Sequence, residues 1–382
     1  MQILHYCARL RLVDGGVVRA VLDLTSALSR VGKSVTLLAT EGDDWPLQDA
    51  GVQALLTGTF DRPPIRFSAK RLESLIQHVD SADVLHLHTP WEPANIQLAK
   101  IAIRCGTPYV ISSHGMLDDW AMKKSSIKKR LFLRFGGRKM FHQAAAVHCT
   151  AQAEKSQIKR WIPKSNFVVV PLVFNPSEYI HPPPTSDPDK HWPPRESERP
   201  IILFLSRLHP KKGADRLIRA AAKVVVNHDA RFIIAGSGEP EYELQLQSLV
   251  EKLHLTSHVD FVGFVEGDRK IALFRAADLF VLPTSQENFG LVFPEAMACG
   301  VPVITTRGVD IWPELEQSGG ALIVGEDVES VTSAINRMLS DDTATAAMGL
   351  AGKNWVEQTF AGDTVANRYI DLYRKVINEV QL

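Results

Sequence analysis

Short apolar runs alternate with longer stretches of helical spacing along the whole chain. In the first half the runs fall near residues 2–7, 34–39, 83–87, 108–112, 146–149 and 167–171. In the second half they fall near 201–206, 231–235, 258–262, 278–282, 302–305 and 321–324. Continuous apolar runs of this length fit strands buried on both faces, as in a parallel sheet. Between them, stretches such as Val17–Val31 and Ala94–Cys105 repeat apolar residues at the spacing of one helix face. Repeated strand–helix units predict α/β architecture with doubly wound parallel sheets.

A chain of 382 residues is long for one core and suits two domains. The clearest break is proline-rich and charged: His181-Pro182-Pro183-Pro184, then further prolines at 188, 193, 194 and 200. The pattern therefore predicts two Rossmann-like domains facing each other across a cleft. The first covers 1–180, a linker covers 181–199, and the second covers 200–362. The last segment, Asp363–Val380, reads as an amphipathic helix.

Hydrophobic residues make up 45% of the chain and charged residues 23%, which fits a folded, water-soluble protein. Net charge is zero, so the molecule as a whole is no polyanion binder. The charge is uneven, however. Residues 1–185 carry 23 Lys+Arg against 15 Asp+Glu, a difference of +8; residues 186–382 carry 20 against 28, or −8. Such asymmetry points to different partners for the two halves. The four cysteines, Cys7, Cys105, Cys149 and Cys299, form no CxxC or Cys/His cluster, which argues against zinc and suits a reducing cytoplasm. The chain starts directly in a strand-like run without the pattern of a signal peptide. No apolar run approaches the roughly 18 residues needed to span a bilayer.

In open α/β sheets, ligands bind beyond the carboxyl ends of the strands. Three segments at such positions in the second half are equipped for a nucleotide diphosphate. Ser206-Arg207-Leu208-His209-Pro210-Lys211-Lys212-Gly213 offers two cations, the planar fork of Arg207 and the point charge of Lys212. Its plainer reading is a solvated basic loop. Ala235-Gly236-Ser237-Gly238-Glu239-Pro240 is a turn whose glycines permit close backbone approach, before a helix start suited to anions. An ordinary tight turn would look the same. The third segment, Glu287-Asn288-Phe289-Gly290-Leu291-Val292-Phe293-Pro294-Glu295, holds two carboxylates eight positions apart around a glycine turn. Carboxylates at that spacing can grip hydroxyls at both ends of a sugar nucleotide. In the first half, Asp14-Gly15-Gly16 follows the first strand, and Ser112-Ser113-His114-Gly115 ends another. His86 and His88 also end a strand and are read as packed residues.

Together these segments resemble the retaining glycosyltransferases of family 4, which have the GT-B architecture. The resemblance spans nearly the whole chain. It is strongest in Glu287 through Ile304, which is similar to the family's E-x7-E segment almost residue by residue. It implies that Glu287 contacts the transferred sugar and Glu295 the nucleotide ribose. Arg207 and Lys212 would bind the diphosphate, with Gly15, Gly16, Gly236 and Gly238 beside the donor. His114 would lie at the reacting sugar. Phe289, Gly290 and Leu291 would contribute backbone, and Phe264 would lie near the base. The terminal helix would pack back on the first domain. Ser206 and Ser237 depart from the family's frequent Gly and Asp. Retention without a bound metal is implied, and no Asp-x-Asp is placed at a strand end. No cofactor is expected.

On the acceptor side, residues 122–139 carry eight basic residues and no acid, interleaved with Leu131, Phe132, Leu133 and Phe135. A basic helix with an apolar face can lie on an anionic membrane and would suit a lipid-linked acceptor. The same pattern describes a solvated helix packed on its domain. Nucleic acid is not expected as a partner. The expectation is a cytoplasmic enzyme, peripheral on the inner face of the plasma membrane. It would move a hexose-type sugar from a UDP- or GDP-sugar to a glycan or lipid-linked acceptor. A sugar-nucleotide epimerase and a non-catalytic sugar-nucleotide-binding protein are the alternatives.

Overall fold

A computed structural model describes residues 1–11, 16–42, 51–56, 69–123, 126–181 and 199–380. The proline-rich segment, Gly15 and residues 124–125 lie outside the described residues. The chain forms two compact units, Met1–Phe174 with Gly362–Leu382, and Asn175–Ala361.

The first unit holds a seven-stranded parallel sheet. Its strands are β1 (Gln2–Tyr6), β2 (Ser34–Ala39), β3 (Gln53–Leu56), β4 (Val84–Leu87), β5 (Tyr109–Ser112), β6 (Ala146–Cys149) and β7 (Phe167–Val169), in spatial order β3-β2-β1-β4-β5-β6-β7. Strands β4, β5 and β6 are buried at every position, as their unbroken apolar runs require. Strand β3 was not expected. It lies at the sheet edge and is half-exposed, so its short sequence lacks the apolar run that marked the others. A two-residue pairing of Arg9–Leu10 with Glu41–Gly42 was also missed, being too short for any periodicity.

The second unit repeats the plan. Strands β8 (Ile201–Leu205), β9 (Arg231–Ala235), β10 (Val259–Gly263), β11 (Leu279–Leu282), β12 (Val303–Thr306) and β13 (Ala321–Val324) form a parallel sheet in order β10-β9-β8-β11-β12-β13. In both sheets the order reverses beside the first strand of the unit. In open α/β sheets a ligand crevice lies at such a switch point, beyond the carboxyl ends of the strands. The helix Ala214–Val224 after β8 buries Leu217, Ile218, Ala221 and Val224 along one face, which matches its i, i+3, i+4 apolar spacing.

The stretch expected as one basic helix over 122–139 is broken. Helices Ser126–Phe132 and Arg138–Gln143 are joined by a π-type turn, Leu133–Gly137. Gly136 has φ of 132°, and a Cβ on Gly137 would stand 2.5 Å from the Phe132 ring. The two glycines therefore set the kink by torsion and by space. The kink also divides the apolar residues. Leu133 is buried and Phe132 packs against the core, while Leu131 and Phe135 are exposed.

Candidate functional site

The loops that leave β8 and β11 are laced together at the switch point of the second unit. The 3₁₀ turn Pro210–Lys212 ends at Gly213, whose φ of 78° is left-handed and whose Cβ would lie 2.3 Å from the Pro283 carbonyl. Ser285 N–H donates to the Lys211 carbonyl at 2.8 Å, and the Thr284 hydroxyl donates to the same oxygen at 3.1 Å. Lys211 Nζ donates to Gln286 at 2.7 Å. These bonds deliver Lys212, with a side chain only 5% exposed, to an ion pair with Glu287. One end of the glutamate segment is thus held to the basic loop. The segment is held on its other side as well. Glu287 N–H donates to the Gly308 carbonyl at 2.8 Å, and the Asn288 amide donates to Asp310 at 3.1 Å.

Arg207 is exposed, and its guanidinium has no partner among the described residues. Gly290 has φ of 68°, and a Cβ there would meet the Phe293 ring at 2.7 Å. No acceptor among the described residues takes the backbone N–H of Gly290 or Leu291. Both donors lie at the start of the helix Val292–Ala298, the end that favours anions. Phe289 packs edge-on against Phe360 and is buried, so its side chain is core and only its backbone can face a ligand. Phe264 is exposed after Gly263 at the end of β10.

Glu295, in the first turn of that helix, is buried and pairs with Lys270 at 2.6 Å. Lys270, on the helix Gly267–Ala276, was not singled out from the sequence. One lysine in a polar helix carries no pattern, and only folding brings it to the glutamate. The glycines of the Gly236–Gly238 turn have an internal reason to be glycine. Cβ atoms there would lie 1.9 Å from the Ser206 carbonyl oxygen and 2.0 Å from that of Leu208. The Gly238 N–H is occupied by Glu243 Oε1 at 2.6 Å. This turn therefore packs against the loop that carries Arg207.

In the first unit, Gly16 opens the helix Gly16–Arg30 and is exposed, and a Cβ there would meet no atom within 4 Å. His114 sits just beyond β5 with a left-handed φ of 50°. Its turn is held by the fully buried Glu154, which accepts from the N–H of Gly115 at 2.7 Å and of Thr150 at 2.6 Å. Glu154 was missed because a glutamate inside a polar helix reads as surface. Behind His114 lies a polar cluster inside the sheet: His5 of β1, His86 of β4, His88 just after β4, and His148 of β6. His5 and His86 are register partners, as are Ser112 and His148. Tyr373 of the C-terminal helix Thr364–Val380 lies 2.7 Å from His86 Nδ1, and Tyr369 lies 3.1 Å from His148 Nε2. Burial pushes the imidazoles of His5 and His114 down to about 3 and that of His148 to about 4. His86 and His88 are lowered too, first by burial and then by their neighbours. The packed reading of His86 and His88 agrees with this burial. The hydrogen bond of His88 to His114 was not legible in the sequence.

Two families match the chain. Residues 187–355 match the glycosyl transferases group 1, and residues 15–172 match the glycosyl transferase 4-like domain. With both units accounted for, the chain belongs to the family-4-type glycosyltransferases and is a transferase. The chain is 29% identical over 330 residues to a GDP-mannose-dependent alpha-(1-6)-phosphatidylinositol monomannoside mannosyltransferase of Mycolicibacterium smegmatis, covering 80% of this chain and 79% of the relative. It is 28% identical over 323 residues to the N-acetyl-alpha-D-glucosaminyl L-malate synthase of Bacillus anthracis, covering 84% and 82%. Among solved structures, HepE of Anabaena in complex with UDP superposes with a TM-score of 0.81 at 21% identity, over 98% of this chain and 100% of that one. The fold is the two-domain GT-B fold. No helix among the described residues is long and apolar enough to cross a membrane.

Proposed function

We propose that the chain transfers a hexose-type sugar from a UDP- or GDP-sugar, with retention of configuration and without a metal, to a glycan or lipid-linked acceptor. The observation that carries this is the Lys212–Glu287 pair at the switch point, Lys212 sharing its loop with Arg207, whose guanidinium has no partner among the described residues. A buried ammonium held by a carboxylate is a cation fixed in place before any ligand arrives. That is what stabilising a departing diphosphate needs. In this reading the bond between the anomeric carbon and the diphosphate oxygen breaks first. Arg207 and Lys212 take up the charge that develops on that oxygen. The acceptor hydroxyl attacks from the same face, and its proton passes to the leaving phosphate. Glu287 holds sugar hydroxyls, Glu295 holds the ribose, and the N–H groups of Gly290 and Leu291 face the phosphates. Gly16 and His114 are assigned to phosphate and sugar by their match to the family pattern. Relatives named for GDP-mannose and for a phosphatidylinositol acceptor, and a neighbour bound to UDP, support a nucleotide sugar and a lipid-linked acceptor.

The acceptor reading extends to the cell. We infer a cytoplasmic enzyme that docks on an anionic membrane through residues 122–139. Phe135 is 76% exposed and Ile127 74%, and Lys128, Arg130, Arg134, Arg138 and Lys139 are exposed around them. Exposed apolar side chains ringed by cations match the chemistry of an anionic lipid surface.

The test is sugar transfer from UDP- and GDP-hexoses with EDTA present. Arg207→Ala and Lys212→Ala are each expected to lower kcat by about 10²–10³-fold, the scale of losing one preorganised charge donor. Wild-type rates in both variants, or full loss of activity in EDTA, would refute the mechanism.

A further inference from the structure

The hydrogen bonds inside the histidine cluster define where its protons sit. The direction follows from two fixed ends. His148 Nε2 lies 2.8 Å from the Val170 carbonyl, which can only accept, so Nε2 carries the proton and Nδ1 is bare. The Ser112 hydroxyl, 2.7 Å away, therefore donates to His148 Nδ1. Ser112 Oγ then accepts from His86 Nε2–H at 2.7 Å, which leaves His86 Nδ1 to accept from the Tyr373 hydroxyl at 2.7 Å. The donors of His148, Ser112, His86 and Tyr373 each have an acceptor, and the Tyr369 oxygen, 3.1 Å from His148 Nε2, accepts from the same N–H.

The second branch runs to His114. His5 Nδ1 lies 3.0 Å from His88 Nε2, and His88 Nδ1 lies 2.9 Å from His114 Nε2. Its inner end is His5 Nε2, which is buried and has no partner among the described residues. Orphaned N–H groups inside proteins are rarer than under-satisfied acceptors. His5 therefore carries its proton on Nδ1 and donates to His88 Nε2. His88 must then carry its own on Nδ1 and donate to His114 Nε2, which leaves the His114 proton on Nδ1. The same three buried rings, His5, His86 and His88, stand close enough to suggest a metal site. All of their nitrogens but His5 Nε2 already have hydrogen-bond partners, so they do not offer three free lone pairs.

We propose that His5 and His88 are positioning residues that fix His114 in the Nδ1–H tautomer, so that it presents a hydrogen-bond donor to a hydroxyl oxygen of the transferred sugar. The second half of this rests on the assignment of His114 to the sugar. His114 Nδ1 makes no hydrogen bond to any described residue, which leaves it free for that contact. The left-handed backbone at His114, held by Glu154, keeps the ring on the relay.

The experiment is side-chain ¹⁵N NMR on histidine-labelled protein at neutral pH, without donor or acceptor, with the His114 signals assigned by loss in His114→Gln. Protonated Nδ1 and bare Nε2 at His114 are expected. In His88→Leu the bias is expected to disappear, and in His88→Asn, whose amide can donate from near the Nδ1 position, to return. Transfer kinetics follow the same order: about a tenfold rise in KM for the donor in His88→Leu, recovered in His88→Asn. A wild-type His114 protonated on Nε2 overturns the relay, and so does a tautomer unchanged in His88→Leu. If the tautomer behaves as stated but His88→Leu keeps a wild-type KM, the relay stands and the donor role at the sugar is overturned.

Discussion

The buried histidine cluster makes the stability of the first unit depend on pH. His5 and His148 are fully buried and held neutral, with imidazoles lowered to about 3 and about 4. In the unfolded chain a histidine titrates near about 6.5. The folded values lie below the unfolded one, so stability is full at neutral pH. It is lost as pH falls below about 6.5 and goes on falling until the folded groups themselves protonate. Between pH 7.5 and 5.5 each such imidazole costs about 1.4 kcal/mol, so His5 and His148 together cost about 3 kcal/mol. His86, His88 and His114 shift in the same direction and add to the loss. That is a large part of a typical stability of about 5–15 kcal/mol. The assay is urea unfolding followed by circular dichroism at intervals from pH 7.5 to 5, on wild type and His5→Leu. Removing one neutral-held imidazole should make the dependence gentler by nearly one proton, about 1.2 kcal/mol between pH 6 and 5. Equal slopes in the two proteins would show that His5 is not held neutral by folding, and the burial argument would fail.

Three further outcomes follow from the geometry. Gly213→Ala should destabilise the second unit by about 2 kcal/mol or more, read as a fall in melting temperature, because the methyl group meets the Pro283 carbonyl at a left-handed φ. Glu154→Ala strips the carboxylate from two backbone N–H groups; it should cost about 2–4 kcal/mol in thermal unfolding, and an unchanged melting point would mean those bonds contribute nothing. The pair Ile127→Ser with Phe135→Ser should abolish flotation with anionic vesicles while leaving the melting temperature within about 1 °C, since both side chains are exposed.

The architecture was readable because buried parallel strands need unbroken apolar runs, and strands such as β4, β6, β9 and β11 lie where those runs do. Edge strand β3 escaped for the converse reason: a half-exposed strand of four residues is not distinguished from loop by hydropathy. The E-x7-E segment was legible because both carboxylates and the glycine turn lie within nine consecutive residues. Its counter-charges were legible only in part. Lys212 stood out in a basic loop, but Lys270 became visible only when its helix was packed beside Glu295.

The chain's local patterns determine its elements, its parallel sheets and the segment that marks a glycosyltransferase, since periodicity and short motifs act over a few residues. The tertiary structure decides what those patterns leave open. It gathers His5, His86, Ser112 and His148 on neighbouring strands into one polar cluster, with Tyr369 and Tyr373 arriving from the far end of the chain. It also bends residues 122–139 at Gly136 and sorts their apolar residues into buried and exposed. Contacts between residues a hundred or more positions apart have no signature in either stretch taken alone. They exist because strand order and register place side chains from separate segments on one face of one sheet.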